Sequence, residues 1–243
     1  MAGHSKWKNI MHKKGKTDAQ RAKIFTKISK EMMIVIKEGG PDPSSNSKLR
    51  DLIAKAKQNN VPNDNIDRII KRAQEGRDAN NYESIVYEGY GKSGVGVIVE
   101  TLTDNKNRTA GEMRHYFDKH GAGLAAQGAV SWQFDKRGVI VVSNEAGSED
   151  DVMMAALDAG ALDFSVEEES YEILTMPEDF DAVRAGLTEA GIAIEYAEVE
   201  MVPQNYITLE SAEDIESMRK LLDMLDDNED VQNVWHSMEN ELD

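Results

Sequence analysis

From Phe25 to Ile36 apolar side chains recur at helical spacing. At about 100° per residue, Phe25, Ile28, Met32, Val35 and Ile36 share one face. Thr17-Asp18-Ala19-Gln20 matches a capping box and Gly39-Gly40-Pro41 is a strong terminator, so the pattern predicts a helix between them. A second helix is predicted over Ser47–Asn60 with Leu49, Leu52, Ile53 and Ala56 inward. A third is predicted over Asn63–Glu75 with Ile66, Ile69, Ile70 and Ala73 inward and Gly76 as stop. Short connections join them, which predicts a small three-helix bundle ending near Arg77. Residues 1–16 show no apolar period and read as an arm, and Glu75–Asn81 reads as a linker.

Beyond the linker the period changes. Gly94–Thr103 alternates and is rich in valine, Arg108–His120 is helical with Gly121 as stop, and Ala129–Asp135 reads as a strand. Strand Gly138–Ser143, helix Glu149–Ala159, strands Asp163–Glu168 and Tyr171–Met176, helix Pro177–Ala190 and strand Glu195–Val202 give β-α-β-β-α-β, a whole ferredoxin-like unit. Asn205–Leu209, Ala212–Asp226 and Asp230–His236 give a further β-α-β. The expectation is an α+β protein: a basic helical domain over residues 1–77, a discontinuous ferredoxin-like domain over 78–137 and 204–243, and an acidic ferredoxin-like domain over 138–203 inserted into it.

Charge sharpens this division. Residues 1–77 hold 18 Lys and Arg against 8 Asp and Glu, residues 78–144 hold 7 against 8, and residues 145–243 hold 3 against 29. A net charge of −17 therefore conceals a basic end suited to a polyanion and an acidic end that phosphate would repel. No apolar run approaches the length of a membrane span, and the residues after Met1 are small, polar and basic rather than a secretory signal, so the cytoplasm is expected. With no cysteine, disulfides and thiolate chemistry are excluded.

Two basic features stand out. In the arm, Lys6, Lys8, Lys13, Lys14 and Lys16 surround Trp7, a combination that suits stacking on unpaired bases together with phosphate contact, although Trp7 could equally pack on the bundle. On the first helix, Lys23, Lys27, Lys30 and Lys37 form a stripe opposite the apolar face, and these lysines lack acidic neighbours to pair with, since only Asp18 and Glu31 lie in that helix region before Glu38. Gly91-Lys92-Ser93 resembles the end of a phosphate loop, but the position five before Gly91 is Val86 and a strand follows, so a turn explains it. The histidines His4, His12, His115, His120 and His236 are scattered, and no nucleophile and base constellation is visible; neither metal, cofactor nor catalysis is expected.

Met1-Ala2-Gly3-His4-Ser5-Lys6-Trp7, Lys23-Ile24-Phe25-Thr26-Lys27, Gly39-Gly40-Pro41-Asp42-Pro43, Pro62-Asn63-Asp64-Asn65-Ile66, Tyr87-Glu88-Gly89-Tyr90-Gly91 and Asp104-Asn105-Lys106-Asn107-Arg108-Thr109 together resemble the YebC family. The chain departs from the family at Gly121-Ala122-Gly123-Leu124-Ala125, where Gly-Gly-Asn-Leu-Gly is usual. The resemblance implies three domains, with the third inserted in the second, and a role in gene expression. Bacterial members are described as DNA-binding transcriptional regulators. Others resemble ribosome-associated translation factors that bind ribosomal RNA and relieve stalls at consecutive prolines. On either reading Lys6, Trp7, Lys8, Lys13, Lys14, Lys16, Lys23, Lys27 and Lys30 are the expected nucleic-acid contacts, while the acidic domains could recruit protein partners or the ribosome.

Overall fold

The computed structural model describes residues 18–75 and 82–240. The N-terminal bundle is built from α1 (Asp18–Gly39), α2 (Ser47–Gln58) and α3 (Asn63–Gln74). Asn46 caps α2 by accepting from the Leu49 N–H, and its amide also donates to the carbonyls of Val35 and Gly40, tying the turn to α1. Ile28, Met32, Val35, Ile36, Leu49, Leu52, Ala56, Ile66 and Ile69 form one buried cluster, as the helical spacing predicts. Phe25, Ile53, Ile70 and Ala73 pack against it half-buried.

The first sheet has the order β3-β1-β2-β8, with every pairing antiparallel. Its strands are β1 (Glu83–Tyr90), β2 (Gly96–Thr103), the two-residue β3 (Gly123–Leu124) and β8 (Val231–His236). Helices α4 (Lys106–His120) and α7 (Ala212–Asp227) bury Met113, Phe117, Met218, Leu221 and Leu225 against Val97 and Val99 of β2. Ile98, between them, points to the other face and meets Val130 and Phe134. Strand β2 is thus buried on both sides, not on one face as the alternation over Gly94–Thr103 implied.

All strands of the second sheet come from residues between β3 and β8. They are β4 (Phe134–Ser143), β5 (Asp163–Val166), β6 (Ser170–Thr175) and β7 (Ile194–Pro203), in the order β5-β6-β4-β7, again antiparallel. Helices α5 (Glu149–Asp158) and α6 (Phe180–Glu189) pack on one face over Ile140, Val142 and Ile173. This is the ferredoxin-like order, with elements within a few residues of those predicted.

The first sheet departs from the expectation in three places. Strand β1 is absent from the sequence reading: its buried residues are Glu88 and Gly89 and its Val86 is exposed, so no alternation of apolar and polar positions marks it. Ala129–Asp135 is not a separate strand: Ser131–Gln133 is a 3₁₀ turn, and Phe134 already begins β4, which runs on through Gly138. Asn205–Leu209 makes one isolated bridge, Ile207 to Met238, instead of a strand. The first sheet is therefore a hairpin, β1-β2, flanked by β3 and β8, and not the pair of β-α-β halves predicted from periodicity.

Glu88 explains two of these departures. Its side chain is buried, with the residue 4% exposed, and its carboxylate accepts from the backbone N–H groups of Gly128 at 2.8 Å, Val130 at 2.7 Å and Ser131 at 2.9 Å. Those donors would otherwise serve a strand ladder. Desolvation pushes the Glu88 carboxyl up, but the backbone donors outweigh it and hold it below the ordinary carboxylate range. Glu88→Gln presents an amide NH₂ to backbone donors and leaves at least one unsatisfied. It is expected to lower the free energy of unfolding by about 2 kcal/mol, measured by urea denaturation. An unchanged midpoint would show that the loop does not depend on this carboxylate.

Candidate nucleic-acid interface

Of the residues expected to contact nucleic acid, Lys6, Trp7, Lys8, Lys13, Lys14 and Lys16 lie outside the described residues. Lys23, Lys27 and Lys30 lie on α1 opposite its apolar face, as predicted, but they meet acidic partners about two hundred residues away in sequence. Lys23 Nζ is 2.6 Å from Asp227 Oδ1. Lys27 Nζ donates to the carbonyl of Asp226 at 2.8 Å and lies 3.7 Å from its carboxylate. Lys30 Nζ donates to the Glu229 carbonyl at 3.0 Å and to Asp230 Oδ1 at 2.8 Å. The expectation that the stripe lacks acidic neighbours is thereby corrected. Sequence distance hid the partners.

This contact has a helical logic. The last turn of α7 contains no basic residue of its own and ends in Asp226 and Asp227. A helix C-terminus leaves carbonyls unpaired and favours positive charge, so acidic residues there are unfavourable unless a cation arrives. The α1 lysines supply that charge from another part of the fold.

Asp230 is the deepest member of the contact, 4% exposed. Besides Lys30, its Oδ2 accepts from Arg108 Nη2 at 2.6 Å and lies 3.0 and 2.9 Å from the hydroxyls of Thr103 and Thr109. Its own N–H donates to Asn228, and its carbonyl accepts from Leu102 N–H. Burial raises the carboxyl, yet the hydrogen bonds of Arg108, Lys30 and Thr109 more than offset it and hold the pKa at about 2. The bundle also meets the second sheet, through Lys55 to Glu198 at 2.7 Å and Arg184 to Asp51 at 3.3 Å. Burial lowers the Lys55 ammonium, but the carboxylates of Glu198, Glu31 and Glu200 outweigh it, and the net shift is upward.

With the α1 stripe engaged, other cations carry the exposed positive charge of the bundle. Arg68, Lys71 and Arg72 lie on the solvent side of α3, and Lys48, Arg50 and Lys57 on that of α2. The sequence reading did not select them. Their spacing against Ile66 and Ile69 was the available signal, since it places them off the apolar face. Arg68 and Arg72 also border a cavity of about 340 Å³ between α1 and α3, closed on one side by Tyr82. Lys30 Nζ sits 5.8 Å from the centroid of that tyrosine ring. Guanidinium groups, an aromatic ring and an opening to solvent make a setting suited to phosphate and base contacts.

A basic helical bundle tied by ion pairs to two antiparallel α/β sheets defines a three-part α+β protein with exposed cations on its bundle. The chain belongs to the TACO1/YebC family: residues 5–76 match the TACO1/YebC protein N-terminal domain, and residues 82–238 match the TACO1/YebC second and third domain. A protein of Acetivibrio thermocellus named "Probable transcriptional regulatory protein" is 59% identical over 238 residues, covering 98% of both chains. One of the same name from Caldicellulosiruptor bescii is 56% identical over 240 residues, again covering 98% of both. The crystal structure of a conserved hypothetical protein from Aquifex aeolicus superposes with a TM-score of 0.82 at 38% identity, covering 92% of each chain. Among the described residues no helix is long and apolar enough to cross a membrane.

Removing the Asp230 carboxylate leaves Lys30 and Arg108 without their shared counter-charge. Asp230→Ala is expected to cost about 3 kcal/mol of stability in urea unfolding, whereas Lys23→Ala, at the exposed end of the stripe, costs under about 1 kcal/mol. The folded pKa of Asp230 is depressed, so its contribution is complete above the ordinary value of 3.8 and is lost as pH falls through the folded value near 2. Between about pH 4 and 2, Asp230→Asn should therefore lose about 2 kcal/mol less stability than the unaltered protein. Identical acid dependence would contradict this assignment.

Proposed function

We propose that the protein is a non-catalytic, DNA-binding transcriptional regulator whose helical bundle and N-terminal arm face the nucleic acid. The observation that carries this reading is the separation of charge. Lys48, Arg50 and Lys57 of α2 and Arg68, Lys71 and Arg72 of α3 are exposed on the bundle, while Asp226 and Asp227 at the exposed end of α7 are paired with lysines of α1 and Asp230 just beyond it is buried against Lys30. The names of the relatives point the same way.

In this reading the contacts divide in two. Lys6, Lys8, Lys13, Lys14 and Lys16 of the arm, with Arg68, Lys71 and Arg72 of α3, bind phosphate and steer the encounter, and Trp7 stacks on a base. Lys23, Lys27 and Lys30 act one step back, by neutralising Asp227, Asp226 and Asp230 beside α1 so that these carboxylates repel phosphate less. The two sheets orient the bundle and offer an acidic surface to protein partners.

The test is a titration of duplex DNA against the full chain at several salt concentrations. If about six phosphates are neutralised, affinity should fall by roughly three decades between 50 and 200 mM salt. Replacing Arg68, Lys71 and Arg72 together by glutamate should reduce the salt slope by about three, with thermal unfolding followed alongside to show that the variant remains folded. An affinity indifferent to salt, or a charge-reversed protein that binds as well as the original, would overturn the proposal.

A further inference from the structure

From Gly121 to Gln133, between α4 and β4, the chain contains no charged residue, although the protein as a whole carries −17. Within this segment Trp132 is 69% exposed, the most exposed large apolar side chain among the described residues. An indole left in water forgoes the hydrophobic stabilisation that burial would bring, and its ring offers a flat, polarisable face.

The ring is also held in place. Trp132 Nε1–H donates to the carbonyl of Ala129 at 2.9 Å, and the Tyr90 hydroxyl donates to the same oxygen at 2.9 Å. Val130, fully buried against Ile98 and Phe134, anchors the turn from below. The three backbone N–H groups bound by Glu88 fix residues 128, 130 and 131. A buried carboxylate thus organises the turn that displays an exposed aromatic ring. Ordering that a ligand would otherwise impose is already present before binding.

We infer that Trp132 is a stacking platform for one unpaired nucleobase of single-stranded DNA or RNA. The inference rests on the nucleic-acid reading above and adds an uncharged contact from the near-neutral middle segment of the chain. The surroundings favour a base over a protein surface. The other exposed residues of the segment are Ala122, Ala126, Gln127 and Gly128, which are small or polar and do not extend the indole into an apolar patch of the size a protein interface needs. A single ring with small neighbours matches the π-face of one base, and the absence of carboxylates on the segment leaves the adjoining phosphates unrepelled.

The test compares a fully paired duplex with single-stranded DNA and single-stranded RNA of the same length, using the full chain and Trp132→Ala and Trp132→Phe. Trp132→Ala is expected to weaken single-strand binding about tenfold and leave duplex affinity within twofold, while Trp132→Phe keeps most of the single-strand affinity. With the three tryptophans replaced by 5-fluorotryptophan, the resonance that disappears in Trp132→Phe should shift when the single strand is added and stay in place when the duplex is added. The DNA and RNA arms show which strand supplies the base. Equal single-strand affinity for Trp132→Ala and the original, or equal losses on duplex and single strand, would overturn the inference while leaving the proposed function standing. A protein that binds no nucleic acid at 50 mM salt would overturn both.

Discussion

A carboxylate taken out of water must be met by cations or hydrogen-bond donors, and around Asp230 those partners come from three separate elements. Lys30 belongs to α1, Thr103 ends β2, and Arg108 and Thr109 belong to the first turn of α4. The bundle and the first sheet can satisfy this group only when they are docked. The same contact pairs the exposed acidic end of α7 with lysines and gives its terminal carbonyls the positive charge that the helix lacks on its own. Helix α1 consequently has two interior faces, an apolar one toward α2 and α3 and a cationic one toward α7.

Glu88 applies the same physics to a different end. Its counter-groups are backbone N–H donors rather than cations, so it shapes a local turn instead of joining distant elements. By taking the N–H groups of Gly128, Val130 and Ser131 it prevents that stretch from extending as a strand and sets the geometry from which Trp132 projects. One buried acid docks a domain and another forms a display loop; in both cases the cost of desolvation is what makes the arrangement specific.

The charge distribution then acquires a direction. Carboxylates near the bundle pair with lysines and arginines across the contacts to α7 and to the second sheet, and the cations on the outer sides of α2 and α3 are exposed to solvent. For a chain with an overall excess of acid, this is how a polyanion could still be approached at one end. The acidic sheets stay available as a separate surface.

The sequence by itself determined the helices of the bundle, their inward residues and the order of elements in the second sheet, though not the start of β4. In those regions each element buries one face, and the period of its apolar positions records which. It also determined family membership and the division of charge along the chain. Only the tertiary structure decided where that charge goes. Lys23, Lys27 and Lys30 read as a free stripe because their partners at 226, 227, 229 and 230 are remote in sequence, and Coulomb attraction leaves no local pattern. The same holds for the first sheet. Strand β1 carries a glutamate on its buried side and the segment after β3 spends its donors on that glutamate, so polarity misreports both, and the reason appears only when residues forty positions apart are brought within hydrogen-bond distance.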